Sequence, residues 1–291
     1  MSTFDLFEYS PIVDRPPVMW PGRSKLAFYV GLNIEHFHVD KPSTALNDAT
    51  AQLVPDPLNY GWRDYGLRVG FWRVAELLDT YGLRATALLN SEAVHHYPQV
   101  IEASLSRDWA LVAHGRTNSV LHTGMDVDSE QAELAAILDT METATGARPR
   151  GWLGPALTET SATPRLLAHH GLTYSLDWTN DEQPYWFTDV PVMSVPYSVE
   201  LNDLGIFTMK GLSGPDFEVM VRDQVDQMLE ETATGRVMAL ALHPFVIGHP
   251  FRAKYLDRAL AHIAGRSGIW LTTSDEIAAH FAATCPQDGT S

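Results

Sequence analysis

Glu35 and His36 stand side by side just beyond an apolar run, Leu26 to Leu32, with His38 two residues on. A carboxylate and imidazoles placed together could take a proton from water, pass one to a leaving group, or hold a divalent metal. Further along, His114 and Asn118 lie four residues apart, and Arg150-Gly-Trp152-Leu-Gly154-Pro155 packs an arginine, an aromatic and two glycines into a tight run. Asp177-Trp178 and His243-Pro244 complete the set. On extended backbone neighbours point to opposite sides, so Glu35 and His36 share a site only where the chain is already turning. Four residues on a helical turn would put His114 and Asn118 on one face. No nucleophilic triad suggests itself. Cys285 lies in the tail, and no Gly-x-Ser-x-Gly elbow, P-loop or dinucleotide fingerprint occurs. Hydrolysis by activated water is the economical chemistry.

These groups need elements to carry them. Leu26–Leu32 precedes Glu35-His36, Ala110–Ala113 precedes His114, and Val237–Leu242 precedes His243. Buried strands that deliver polar groups at their C-terminal ends are how α/β enzymes furnish an active site. Between them, spacing predicts helices over 67–80, 98–106, 128–145, 164–170, 215–233, 252–264 and from Ser274 onward, with the helix over 128–145 capped by Asp128 or Ser129. Further strands are expected over 85–89, 172–176, 192–195 and 268–271. Seven or eight strand–helix units imply an α/β fold with a mostly parallel sheet, a barrel rather than an open sheet. We expect one domain over 1–291, with a core at about 25–282 and no boundary inside it. Residues 38–64 form a connection too long to be ordinary; with Tyr60, Trp62 and Tyr65 they read as a packed flap.

A chain of 291 residues can hide roughly 75% of its unfolded surface, so it needs neither disulfide nor structural metal to fold. The net charge of −16 excludes polyphosphate as a partner, hence no nucleic acid and no anionic membrane, and it also serves plain solubility. No apolar stretch approaches the ~20 residues of a membrane span, and Met1–Ser10 lacks the layout of a signal peptide. With a single cysteine, these features suit a cytoplasmic location.

Taken in order, the five stretches resemble the polysaccharide deacetylase superfamily (carbohydrate esterase family 4). Its pattern is an apolar strand ending in Asp-Asp, then His-x-x-x-His, Arg-x-Pro-x-Gly, Asp-Trp and Leu-x-Leu-His, matched over roughly residues 25–245. The resemblance implies an irregular (β/α) barrel of about seven strands. In that family the first Asp is a general base, and the second binds a divalent metal with both histidines. Here Glu35 takes the base position, His36 the metal-carboxylate position and Asn118 the second histidine position, so only His114 survives of the metal set. Asn is a weak neutral ligand, and without a carboxylate a dication gains little charge compensation. The expectation is therefore no metal and no cofactor; were zinc or another divalent ion present, His36, His114 and Asn118 would hold it.

Within the superfamily the chain resembles the metal-independent allantoinases and cyclic imide hydrolases, through Asp64–Gly70, Arg150–Pro155, Asp177–Trp186 and Ser194–Asn202. That branch implies ring opening of a cyclic imide, amide or ureide, a small-molecule partner and a homo-oligomer, with the 38–64 flap at subunit contacts. Glu35 would be the general base oriented by Arg150, and His243 the general acid oriented by Asp177. His36, His114, Asn118, Trp152, Trp178, Tyr197, Glu200 and Asn202 would bind the substrate, amides pairing with the ring edge and aromatics walling its face. Two other readings compete: a metal-dependent deacetylase of N-acetylated sugars, and a non-catalytic binding protein on the same scaffold.

Overall fold

The computed structural model describes residues 6–231 and 234–287. Strand β1, Leu26–Ile34, is buried along its whole length. Its side chains alternate: Leu26, Phe28, Val30, Leu32 and Ile34 join the large core cluster beneath the helices, whereas Ala27 and Tyr29 join a second cluster inside the sheet's curl. Alternation follows from the two-residue period of extended backbone. Glu35 continues the inner face and His36 the outer one. That parity separates the two residues.

β1 pairs with β8 (Arg236–Leu242) from Leu26 to Leu32. Its other edge is shared, by β9 (Ile269–Leu271) at Leu26–Phe28 and by β2 (Ala85–Leu89) at Val30–Ile34. From β2 the sheet runs through β3 (Ala110–Ala113), β4 (Gly151–Trp152), β5 (Tyr174–Ser175) and β7 (Met193–Ser194) to β6 (Tyr185–Trp186). Every pairing is parallel except that of β6 with β7. The C-terminal ends of the parallel strands therefore gather at one mouth. The far edge of β8 meets the segment after β7, where the Ala241 amide donates to Leu201 O and Asn202 bridges Ala241. The expected α/β barrel is thus a curled half-barrel, eight strands along the curl and β9 tucked beside β1.

The predicted helices form, with shifted ends. The stretch read as one helix over 67–80 is a wider π turn over Gly66–Gly70 followed by α2 (Phe71–Thr80), and α1 (Pro57–Tyr65) precedes them. Gly70 explains the close packing here, since a Cβ on it would lie 2.0 Å from Pro244 O, in the turn just after His243. Next come α3 (Ala93–His96) and α4 (Pro98–Ser106). Then α5 (Val127–Thr145) is capped by Asp126 rather than Asp128 or Ser129, its side chain accepting from the Ser129 amide. It closes at left-handed Gly146. Later helices are α6 (Thr163–His169), α7 (Gly214–Glu230), α8 (Pro244–Ile247), α9 (Pro250–Ala264) and α10 (Ser274–Thr284). The expected end of α7 at Ala233 lies outside the described residues.

The flap is packed, and it contains α1. Asn59 Oδ1 accepts from the amides of Leu46 and Asn47, Arg63 donates to Thr44 O, and Trp62 stands edge-on to Phe245 at 4.8 Å. These contacts bring Thr44 to the mouth of the curl. Among the described residues no helix is long and apolar enough to cross a membrane.

Candidate active site

Three strand ends and one turn meet at the mouth. Glu35 from β1, His114 from β3 and His243 from β8 line one cavity of about 230 Å³, with Asn118, Asn33, Tyr197 and Asn202. Its apolar wall includes Leu153, Leu157, Val199, Leu204 and Met209, and Thr44 reaches it from the flap. Glu35 is only 8% exposed. Its Oε1 lies 3.4 Å from His114 Nε2 and 3.9 Å from His243 Nε2, and it accepts a hydrogen bond from Asn118 Nδ2. Its Oε2 has no protein partner among the described residues.

The His114–Asn118 turn is set by Gly115, whose φ of +67° is one that side chains resist and whose Cβ would strike Pro155 at 2.3 Å. Asn90, at the end of β2, fixes which way Asn118 faces. Asn90 Oδ1 accepts from the His36 amide at 2.8 Å, so its Nδ2 must point the other way, to His114 O and, at 2.9 Å, to Asn118 Oδ1. Asn118 therefore turns its N–H toward Glu35. A hydrogen bond to a charged group is worth about 1.5–3 kcal/mol, enough to hold one carboxylate rotamer.

Both histidines have assigned faces as well. His114 Nδ1 donates to Leu153 O at 2.8 Å, which leaves Nε2 toward Glu35. His243 Nδ1 lies 2.7 Å from Asp203 Oδ1, and the same buried carboxylate accepts from the amides of His243 and Ile247. Burial disfavours the imidazolium, but the charge and hydrogen bond of Asp203, with Glu35 beyond, outweigh it and hold His243 above its ordinary pKa. A proton on His243 Nε2, at the cavity, is thereby favoured.

Several expected site residues lie elsewhere. Arg150 is exposed at the start of β4, at the opposite end of the sheet from Glu35, where it lines a separate cavity with Asp275. It cannot orient the base. Asp177 does not reach His243; it accepts from the Gly154 amide at 2.6 Å and from Ser175, and desolvation pushes it up to about 7. Through Gly154 it braces the loop whose Leu153 carbonyl holds His114. Asp203 is the residue that orients His243. Trp152 has the parity of the outer face and is fully buried against the helical shell near His122, so Leu153 lines the cavity instead. Trp178 packs edge-on to Phe7 at 5.1 Å, and Glu200 is exposed and paired with Lys210. Tyr197 and Asn202 do reach the cavity. Tyr197 Oη accepts from Asn33 Nδ2 at 3.1 Å, which frees its own proton to donate. Asn202 Oδ1 caps the amides of Leu204 and Gly205.

His36 points away from the cavity, as its parity requires. Its ring stacks on His96 with centroids 4.1 Å apart and lies beside His38, Glu92 and Tyr97. The metal set His36, His114 and Asn118 is therefore not assembled. Glu35 is the acid that converges with His114 and Asn118, but Asn118 offers that point an N–H and no lone pair. These residues do not fit the three-ligand site of the family.

Residues 61–175 match the family profile of the polysaccharide deacetylases. This stretch is thus similar to a polysaccharide deacetylase domain. A Schizosaccharomyces pombe protein assigned to the polysaccharide deacetylases is 26% identical over 307 residues, covering 94% of this chain and 95% of its own length. The crystal structure of PuuE allantoinase superposes with a TM-score of 0.87 at 25% identity, over 97% of this chain and all of that one. A Pseudomonas aeruginosa PAO1 structure assigned to the polysaccharide deacetylases gives the same TM-score and identity over 94% of this chain and 97% of its own. The fold is thus shared with these deacetylase-family proteins. Its cavity departs from their metal-binding pattern at Asn118.

Proposed function

We propose that the chain hydrolyses a carbon–nitrogen bond in a small ring, opening a cyclic imide, amide or ureide without a metal at the reacting centre. The observation that carries this reading is Asn118, held by Asn90 so that it donates to Glu35. A carboxylate fixed by a donor is set up to take a proton rather than to share a metal. Glu35 Oε2, without a protein partner among the described residues, would accept a proton from water as its oxygen attacks the ring carbonyl. The Tyr197 hydroxyl supplies a donor for the oxygen that gains charge. As the C–N bond breaks, the nitrogen takes a proton from His243 Nε2. That leaves Glu35 protonated and His243 neutral, 3.9 Å apart, and one transfer between them restores the starting state.

A cavity of about 230 Å³ with a largely apolar wall suits a compact ring better than a polymer strand, since pockets for larger ligands run from about 300 Å³ upward. The similarity to an allantoinase over the whole chain points the same way. The family match favours a second reading, removal of acetyl groups from N-acetylated sugars. A substrate panel separates the two: succinimide, glutarimide, hydantoin, dihydrouracil, allantoin and N-acetylglucosamine oligomers, each with and without chelator. Ring opening that persists under chelation is expected. Acetate release that chelator abolishes would replace this reading with the second.

A further inference from the structure

The cluster on the outer side of Glu35 has a use of its own. We propose that His36, His38 and Glu92 form a site for a divalent transition cation of the zinc class, outside the catalytic cavity. Among the described residues they form a buried-to-half-buried group whose ligand atoms all lie within 4.8 Å of one another. His38 Nε2 lies 2.7 Å from Glu92 Oε2, and His36 Nε2 lies 3.8 Å from the same oxygen. A tetrahedral ion with bonds of about 2.0–2.2 Å sets its ligand atoms about 3.4 Å apart, so the first gap widens and the second narrows by less than an ångström. Two imidazoles, one carboxylate and an open fourth position are donor chemistry for zinc.

The surroundings prepare these groups to bind. His36 Nδ1 lies 3.3 Å from Tyr97 Oη, a contact that orients the ring with Nε2 on the Glu92 side. Two imidazole nitrogens and a carboxylate oxygen converge on one point, an arrangement that a cation satisfies. Glu92 Oε1 is steadied from the far side by Arg116 at 3.6 Å, which Glu133 holds at 2.9 Å. The His38 amide donates to Ser119 Oγ and the Glu92 amide to Arg116 O, so both ligands are already positioned by their backbones. An ion here would bolt the end of β1 to the loop after β2, directly behind Glu35.

The test uses the whole chain, stripped with chelator, dialysed and titrated with zinc chloride by calorimetry, so it is independent of which substrate the cavity takes. One saturable equivalent is expected, together with a rise in Tm. His38→Ala and Glu92→Gln should each weaken binding about tenfold or more and remove the Tm rise, while Glu35→Gln keeps both. Should His38→Ala fail to fold, Glu92→Gln carries the test alone. Absence of saturable binding would overturn the proposal. So would binding indifferent to His38 and Glu92 but lost in Glu35→Gln, which would place the ion in the catalytic cavity.

Discussion

His243 and Glu35 face each other across 3.9 Å with opposite tasks, and their neighbours decide which is which. Asp203 favours the protonated form of His243, so Asp203→Asn should lower kcat by about tenfold or more. The sign of its pH effect follows from burial. With the carboxylate's charge gone, desolvation dominates and the pKa of His243 falls, so the alkaline limb of the kcat profile moves to lower pH. A limb that stays in place would remove His243 from the role of acid. Arg150 gives the opposite expectation. It is exposed and lies at the other end of the sheet, so Arg150→Ala should change turnover by no more than about twofold, the scale of ordinary surface substitutions. Steady-state rates check this, and a collapse of kcat would contradict the placement. Residue types showed where Glu35, His114 and His243 belong, because each follows a long apolar strand. They misplaced Arg150, which precedes its strand; in a parallel sheet that alone assigns it to the wrong end. Asp203 follows no strand and was missed, although it directly succeeds the stretch ending at Asn202.

At the scale of elements, the parity of β1 does most to shape the site. Nine buried residues alternate between two cores and so force Glu35 inward and His36 outward. The alternation is invisible in the sequence because both faces are apolar, as in any strand covered on both sides. The loop after β4 was equally opaque. Ala156 and Leu157 both sit at positive φ, 54° and 56°, and both line the cavity. No residue type announces that strain, which is held by surrounding contacts. Further along the same loop, Glu159 has a buried Oε2 with no hydrogen bond among the described residues, and desolvation, then nearby Asp177, raise its pKa to about 8 against the lowering pull of Trp178. The folded chain then keeps a proton that the unfolded chain releases, so this group's contribution to stability is full below the usual carboxylate range and is lost as pH rises toward 8. Glu159→Gln should flatten that decline. Tm measured from pH 5 to pH 9 decides it, and parallel curves for the two proteins would show that Glu159 titrates normally.

For the whole molecule, strand–helix alternation was enough to read an α/β barrel, and most elements lie within a few residues of their expected ends. What periodicity did not carry was closure. The curl is completed by irregular contacts of Leu201, Asn202 and Glu182 with β8, which follow no repeating pattern. Nor did it show α1 inside the flap, where Trp62 packs on Phe245 in the turn after His243 and the following Gly66 and Gly70 press against the same turn. These irregular parts give the cavity its walls, so they bear most directly on what a deacetylase-family fold can accept. The account rests on one claim, that the Glu35 carboxylate activates water in that cavity. The most direct test compares kcat of the native chain with that of Glu35→Gln on whichever ring is opened, both in chelator. The account predicts a loss of about 10²–10⁴-fold with KM little changed. A Glu35→Gln variant that opens the ring at the native rate would contradict it.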